Sequence, residues 1–269
     1  MLKKLIKYDL KYGAKIFIVI HALLWIAAIF GRVFFLDRID FDAPTEQLVS
    51  VLVLFFSAFV LLFSVVSLAT ALLIAARFYK NLFTDEGYLT WTLPASPVQQ
   101  LWAKILSGCI WNILDLILLY SATYFMWISP NVQNAYRMIA AEFTASLGMP
   151  LSKFFLLMVL LSIIGVGSNV LMLYASISIG QLFPAHRLLL SVIVYFIFYM
   201  IIYALSMGAL IIFKLLPGIA LSANTVNEAA SMSTYLTGTF LISLVLSAAM
   251  AVIQYVITHL ILTRKLNLI

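Results

Sequence analysis

The chain has 269 residues, of which 65% are hydrophobic and 10% charged, with a net charge of +6 and a mean hydropathy of +1.12. Soluble domains run near ~45–50% apolar and ~25% charged, so this composition excludes a soluble domain and also a soluble domain with one anchor; it is that of an integral membrane protein. The positive charge does not indicate nucleic acid, because most cations gather on one side of the bilayer and no basic stripe with interleaved exposed aromatics remains.

In chain order, Met1 to Lys15 reads as a short amphipathic helix: Leu2, Leu5, Ile6 and Leu10 follow helical spacing, with Lys3, Lys4, Lys7 and Lys11 around them. It is expected to lie in the membrane interface before the chain turns into the bilayer. Read more simply, it is a basic topology signal, and both readings stand. The apolar run after it continues past Trp25 with no small-residue cleavage site, so the first helix is expected to be retained.

A span needs about 20 apolar residues, and six such runs are present: Ile16–Phe35, Leu48–Ala76, Pro97–Ile128, Ser152–Gly180, Leu188–Phe213 and Leu236–Leu262. The expected fold class is therefore all-α, an integral membrane protein with six transmembrane helices and a single domain over 1–269. Asp42, Pro44 and Glu46 suit the first turn of the second span. Ser96-Pro97-Val98-Gln99 reads as a capping box with Pro at the first helical position. Gly148-Met149-Pro150 followed by Ser152 opens the fourth span. Ser129–Leu151 reads as a polar connection, and Lys214–Tyr235, broken at Leu215-Leu216-Pro217-Gly218, as a segment that could dip back into the bilayer where protein or water surrounds it.

Six spans put both termini on one side. Lys3, Lys4, Lys7, Lys11, Lys15, Arg77, Lys80, Lys104, Arg187, Arg264 and Lys265 fall there, against Arg32, Arg38, Arg137, Lys153 and Lys214 on the other, where Asp37, Asp40, Asp42 and Glu46 also cluster. The excess of Lys and Arg predicts that the first side, with both termini, is cytoplasmic.

No Gly-rich loop followed by Lys-Ser or Lys-Thr occurs, so ATP hydrolysis by that route is not expected of this chain. His21, His186 and His259 lie far apart without ligand-spaced Cys or acidic neighbours, so no metal site is expected. The one cysteine, Cys109, sits in an apolar run and rules out an intrachain disulfide.

Asp115 is the one acid well inside a span, where an ionisable group costs roughly 2.5–3.5 kcal/mol on insertion scales and must face protein or water. Helical spacing lines it up with Lys104, Gly108, Trp111 and Asn112. Asn112, Asp115 and Asn169 are candidates for a translocation path; the simpler reading is an interhelical hydrogen bond from Asp115, to Asn169 or a nearby Ser. Small and hydroxyl residues of the fourth span, from Ser162 to Ser178, read as close helix packing.

The inside connection between the second and third spans is the most informative segment, because it is too polar to span and too patterned for a slack linker. It runs over 77–96 and mixes both charge signs with aromatics, a Gly and a Pro. Thr84-Asp85-Glu86 opens a short helix, the hydroxyl capping and the two acids complementing its dipole. Tyr88, Leu89, Trp91 and Leu93 then supply apolar anchors for a soluble partner. A loop packed on itself over the helix ends is the alternative.

Together, the basic amphipathic start, the six spans and the sequence Asn81-Leu82-Phe83-Thr84-Asp85-Glu86-Gly87-Tyr88-Leu89-Thr90-Trp91-Thr92-Leu93-Pro94-Ala95-Ser96 resemble ABC-2 type transporter permeases, particularly the small permeases of Gram-positive bacteria. The resemblance covers the whole chain in layout, and its specific part is Asp85-Glu86-Gly87-Tyr88-Leu89 with Thr92-Leu93-Pro94. It implies the permease subunit of an ATP-driven exporter in a bacterial cell membrane, paired with itself or a sister permease. ATP and Mg would sit on separate ATPase subunits and no cofactor on this chain. The matching positions for ATPase coupling are Arg77, Phe78, Tyr79, Lys80, Asn81, Leu82, Phe83, Thr84, Asp85, Glu86, Gly87 and Tyr88. The same resemblance makes residues 1–15 the connecting helix and 214–235 the outer re-entrant segment. Cargo in such permeases is a peptide, an antimicrobial, a drug or lipid-linked material. Two other classes remain in view: a membrane sensor or scaffold that binds a cytoplasmic protein without transport, and a membrane-embedded enzyme using Asp115 as its acid. The latter lacks a second catalytic group.

Overall fold

The computed structural model describes residues 1–40, 45–216 and 232–264. Every regular element among them is helical: α1 (Leu2–Gly31), α2 (Thr45–Phe83), α3 (Asp85–Trp91), α4 (Pro97–Trp127), α5 (Pro130–Leu147), α6 (Leu151–Gly180), α7 (Arg187–Ile212) and α8 (Met232–Arg264). Six of these, all but α3 and α5, are long and apolar enough to cross a membrane. The chain is a multi-pass membrane protein. The expected spans coincide with them, most ends lying a few residues further out because helices project past the apolar run.

Two local expectations are revised. α1 runs without a break from Leu2, so residues 1–15 are the first turns of the first long helix and not a separate segment that turns at Lys15. No Pro falls in this stretch and Gly13 alone costs about 1 kcal/mol among good helix formers, so the helix runs through it. Along those turns Lys3, Lys4, Lys7, Lys11 and Lys15 are exposed, while Leu2, Leu5, Ile6 and Leu10 are half-buried. The connection over 129–151 contains a helix, α5, started by Ser129-Pro130 and closed by Gly148 at φ +71°, the left-handed C-cap position that favours Gly. None of its residues is buried. The 214–235 segment lies mostly outside the described residues, as do Asp42 and Pro44; Glu46 sits in the first turn of α2 as expected.

Lipid is as apolar as Leu, so helix association in the bilayer rests on close packing and interhelical hydrogen bonds more than on burial of apolar area. α1 and α4 show how this works. The buried residues of α1 recur at helical spacing as Asp9, Gly13, Phe17, His21, Leu24, Ala28 and Gly31. This stripe meets α4, which runs parallel to it at a near-constant offset: Asp9 with Lys104, His21 with Asp115, Arg32 with Phe125. Between the polar rungs Phe17 stacks on Trp111, with ring centroids 3.8 Å apart and planes within 14°. Trp111, too deep for an interfacial anchor, is explained by that stack.

α6 packs most extensively on α8 and α7, around Met172, Ala175, Phe198 and Met250. α4 bridges the two halves, and Gly108 makes the close approach possible: a Cβ there would stand 2.9 Å from the Tyr174 hydroxyl and 3.0 Å from Val170 Cγ1. At the other end of α1, a π-helical turn over Arg32–Leu36 brings Asp37 to Ser129 at 2.5 Å. Asn131 Nδ2 donates to the Leu36 and Ile39 carbonyls there, at 2.9 and 2.6 Å.

Candidate functional site

α3 and the charged residues beneath it form the most elaborate polar arrangement in the described structure. α2 continues to Phe83, and Asp85–Trp91 follows after a single-residue break as the expected short helix. Thr84 occupies the N-cap position with extended backbone, but its side chain does not cap; its Oγ1 donates instead to the Lys80 carbonyl at 2.6 Å, closing the end of α2. Asp85 and Glu86 do stand in the first turn, where carboxylates complement the helix dipole. Ser96 caps α4 by accepting from the Gln99 N–H at 3.3 Å, with Pro97 at the first position.

The segment divides sharply into an inner and an outer face. Phe78, Leu82 and Phe83 are buried in the main core cluster with Ile74, Leu101, Ile105 and Tyr174. Phe78 stacks on Tyr174 at 3.9 Å, within 10° of parallel, and Tyr174 donates to the Lys104 carbonyl at 2.9 Å. Gly87 and Thr90 face inward from α3, and Trp91 Nε1 donates to the Leu82 carbonyl at 3.2 Å. Lys80, Asp85, Glu86, Tyr88, Leu89 and Leu93 are exposed, Leu89 at 74%. Tyr79 and Asn81 are half-buried.

An ion network ties this helix to the spans. Asp9 of α1, which is buried, accepts at Oδ1 from both Lys104 Nζ, at 2.5 Å, and Arg77 Nε, at 3.1 Å. Arg77 Nη1 reaches on to Glu86 Oε2 at 3.2 Å, and its guanidinium lies 4.1 Å from the centre of the Tyr12 ring. The planar fork of Arg suits this double attachment with a stacked ring, which a Lys could not reproduce. One carboxylate on α1 therefore clamps α2 and α4, and α2 in turn holds α3. Sequence reasoning missed Asp9. Its signal was an acid placed on the apolar stripe of an otherwise basic helix.

The expected path residues do not converge. Asp115 is buried and pairs with His21 of α1, Nε2 to Oδ1 3.0 Å, rather than with Asn169 or a Ser of the fourth span. Thr70 and Ser67 of α2 interact with the same carboxylate, Thr70 Oγ1 without a hydrogen bond of normal geometry. Asn112 donates to the Gly108 carbonyl of its own helix at 3.1 Å, and Asn169 accepts from Tyr195 of α7 at 3.4 Å. His21 therefore does have an acidic neighbour, from a distant helix. Among the described residues no group of three or more His, Cys, Asp or Glu could hold a metal.

No protein family matches the chain, and neither does any curated protein or solved structure.

Proposed function

We propose that this chain is the permease subunit of an ATP-driven exporter, with separate ATPase subunits docking on α3 and the residues around it. The observation that carries the reading is a short helix fixed from beneath and open from above. It is held by Glu86 on Arg77, with Asp9 and Lys104 behind that cation, and by the Trp91 bond to Leu82, while Asp85, Tyr88, Leu89 and the following Leu93 are exposed. A motor outside the bilayer can move spans only through such a lever, since a partner shifts an equilibrium only by contacting its two states differently. The docking surface in this reading is Lys80, Asp85, Glu86, Tyr88 and Leu89 together with Leu93; Phe78, Leu82, Phe83 and Gly87 support it from within. The translocated molecule would be amphipathic, peptide-like or lipid-like, in keeping with apolar spans carrying few polar groups. The host membrane would be a bacterial cell membrane with both termini inside, and the exporter would hold two permeases.

The test is purification of the chain from its native membrane after crosslinking, with mass spectrometry of what accompanies it. A soluble subunit carrying a phosphate-binding Gly-rich loop is expected, and Leu89→Glu should reduce its recovery about tenfold or more, as for the loss of an interface anchor. Leu89→Glu is a cleaner probe than Glu86→Arg, which also places a second cation against Arg77. A preparation without any ATPase, holding another soluble protein bound through α3, would turn the reading to a sensor or scaffold.

A further inference from the structure

A cleft of about 220 Å3 opens between the first turns of α1, the end of α2, α3 and the start of α4. It is far larger than the ~10–15 Å3 that one water requires. Tyr8, Asp9, Arg77, Asn81, Gln100 and Lys104 are among its walls. Three observations point to what it binds.

The first is charge. Two cations, Arg77 and Lys104, share a single oxygen of one buried carboxylate, Asp9. Glu86 balances Arg77 only from a half-exposed position. A guanidinium has five N–H donors and an ammonium three. Those of Arg77 and Lys104 are only partly taken up by the bonds to Asp9 and Glu86. An anion with several acceptor oxygens fits there.

The second is Gln100. It is 2% exposed, its Nε2 donates to the Thr90 carbonyl at 2.9 Å, and its Oε1 has no hydrogen-bond partner. A buried acceptor without a donor costs about 1–3 kcal/mol, so a ligand bearing a hydroxyl would relieve it.

The third is continuity with the apolar interior. The wall formed by Asp9, Arg77 and Lys104 is shared with a narrow, mostly apolar crevice that runs on between α1, α2 and α4 past Tyr12, Ile16, Phe17 and Leu73. Ile16 and Tyr12 are exposed at its edge. The charged trio therefore stands where the wider cleft meets the narrow crevice, as a phosphate stands between a phospholipid's headgroup and its chains.

We propose that this cleft binds an anionic glycerophospholipid with a hydroxyl-bearing headgroup. Its phosphate lies between Arg77 and Lys104, a headgroup hydroxyl donates to Gln100 Oε1, and an acyl chain lies along the outside of the crevice, which itself has room for only about 30 Å3, against the exposed Tyr12 and Ile16. Lys3, Lys4, Lys7 and Lys11, exposed on the same turns of α1, raise the local concentration of such lipids without forming the site. The site lies under α3, so occupancy would stiffen the clamp that positions it.

The full chain, purified in a neutral detergent, is titrated with phosphatidylglycerol and with phosphatidylcholine and followed by native mass spectrometry. A single retained phosphatidylglycerol, bound at least tenfold more tightly than phosphatidylcholine, is expected. Gln100→Leu should remove about tenfold of that preference, as for the loss of one hydrogen bond to a charged or polar group, and should lower thermal stability in lipid-free detergent only modestly, through the lost bond to the Thr90 carbonyl. Arg77→Lys, which keeps a cation for Asp9, should lower it further. Lys3→Gln with Lys4→Gln should leave the retained lipid in place. Equal binding of the two lipids would overturn the proposal, as would a preference untouched by Gln100→Leu. Displacement of the lipid by free glycerol 3-phosphate at similar concentration would assign the cleft to a soluble phosphate compound instead. Should Arg77→Lys not fold, Gln100→Leu decides alone.

Discussion

His21 Nε2 and Asp115 Oδ1 meet at 3.0 Å, joining α1 to α4 across 94 residues of sequence. The pair lies 12 residues along α1 from Asp9, or about 18 Å deeper at the helical rise. Both side chains are buried there, so each is the other's means of lying inside an apolar span. The same two helices are tied again by Asp9 with Lys104 at one end and by Arg32 with the Phe125 carbonyl at the other. Polar rungs set the register of two parallel helices whose apolar faces could otherwise slide.

Asp115→Asn is expected to leave stability nearly unchanged. The carboxamide offers both an acceptor and a donor, so it can bond His21 in either tautomer. Asp115→Ala removes the partner of a buried imidazole and should cost about 1–2 kcal/mol. His21→Ala should cost about as much, and the double variant clearly less than the sum, because the second truncation removes a group already unpartnered. Unfolding of the four proteins in detergent measures the coupling; strict additivity would mean that the pair contributes nothing.

The glycines of α6 and α7 should separate into two kinds. A Cβ on Gly180 would stand 2.7 Å from the Arg187 carbonyl oxygen and 2.8 Å from the Ser191 backbone nitrogen, atoms that a rotamer change cannot move. Gly180→Ala should therefore push α7 off the end of α6 and cost about 1–3 kcal/mol. Gly165 and Gly208 meet nothing within 4 Å. Gly165→Ala and Gly208→Ala should be neutral or stabilising by about 0.5–1 kcal/mol, from helix propensity alone. Thermal midpoints of the three variants give the comparison.

What the sequence shows and what it hides follow from range. The spans are legible because each is a long apolar run and lipid imposes a minimum length on it. α3 is legible because Thr84, Asp85 and Glu86 act within one turn. α5 is periodic too, with Val132, Tyr136, Ile139, Phe143 and Leu147 at helical spacing, but the polar residues between them and its shortness beside the spans hide it as a connection. The pairings are hidden for a different reason. Nothing near His21 marks it for Asp115, and nothing near Lys104 marks it for Asp9, since the match is made by two helices docking. What could be read is the stripe itself, because Asp9, Gly13, Phe17, His21 and Leu24 recur every three or four residues. Two polar groups on an apolar stripe imply partners on another helix, though not which ones.

The far end of the bundle should depend on Asn131. Its Nδ2 donates to the carbonyls of Leu36 and Ile39, which the π-helical turn leaves without helical partners. Asn131→Ala is expected to cost about 1–2 kcal/mol and to speed proteolysis after Arg38. Asp37→Asn should be milder, because Ser129 can still donate to a carboxamide oxygen. Limited trypsin digestion of the purified protein reads both; equal cleavage in all three proteins would show that this junction is held by other contacts.

Orientation is the remaining expectation, and a labelling experiment decides it. With six spans, eleven of the sixteen Lys and Arg residues are expected on the side that carries α3, the excess expected of a cytoplasmic side. Cys109 is the one native thiol, so Cys109→Ala gives a background without reactive sulfur. On it, Lys80→Cys and Arg137→Cys put single thiols at exposed positions on opposite ends of the bundle, beside α3 and on α5. A membrane-impermeant maleimide applied to intact cells should label Arg137→Cys at once and Lys80→Cys only after permeabilisation. The reverse pattern would place α3 outside, beyond the reach of any cytoplasmic motor, and would remove the exporter reading together with the orientation.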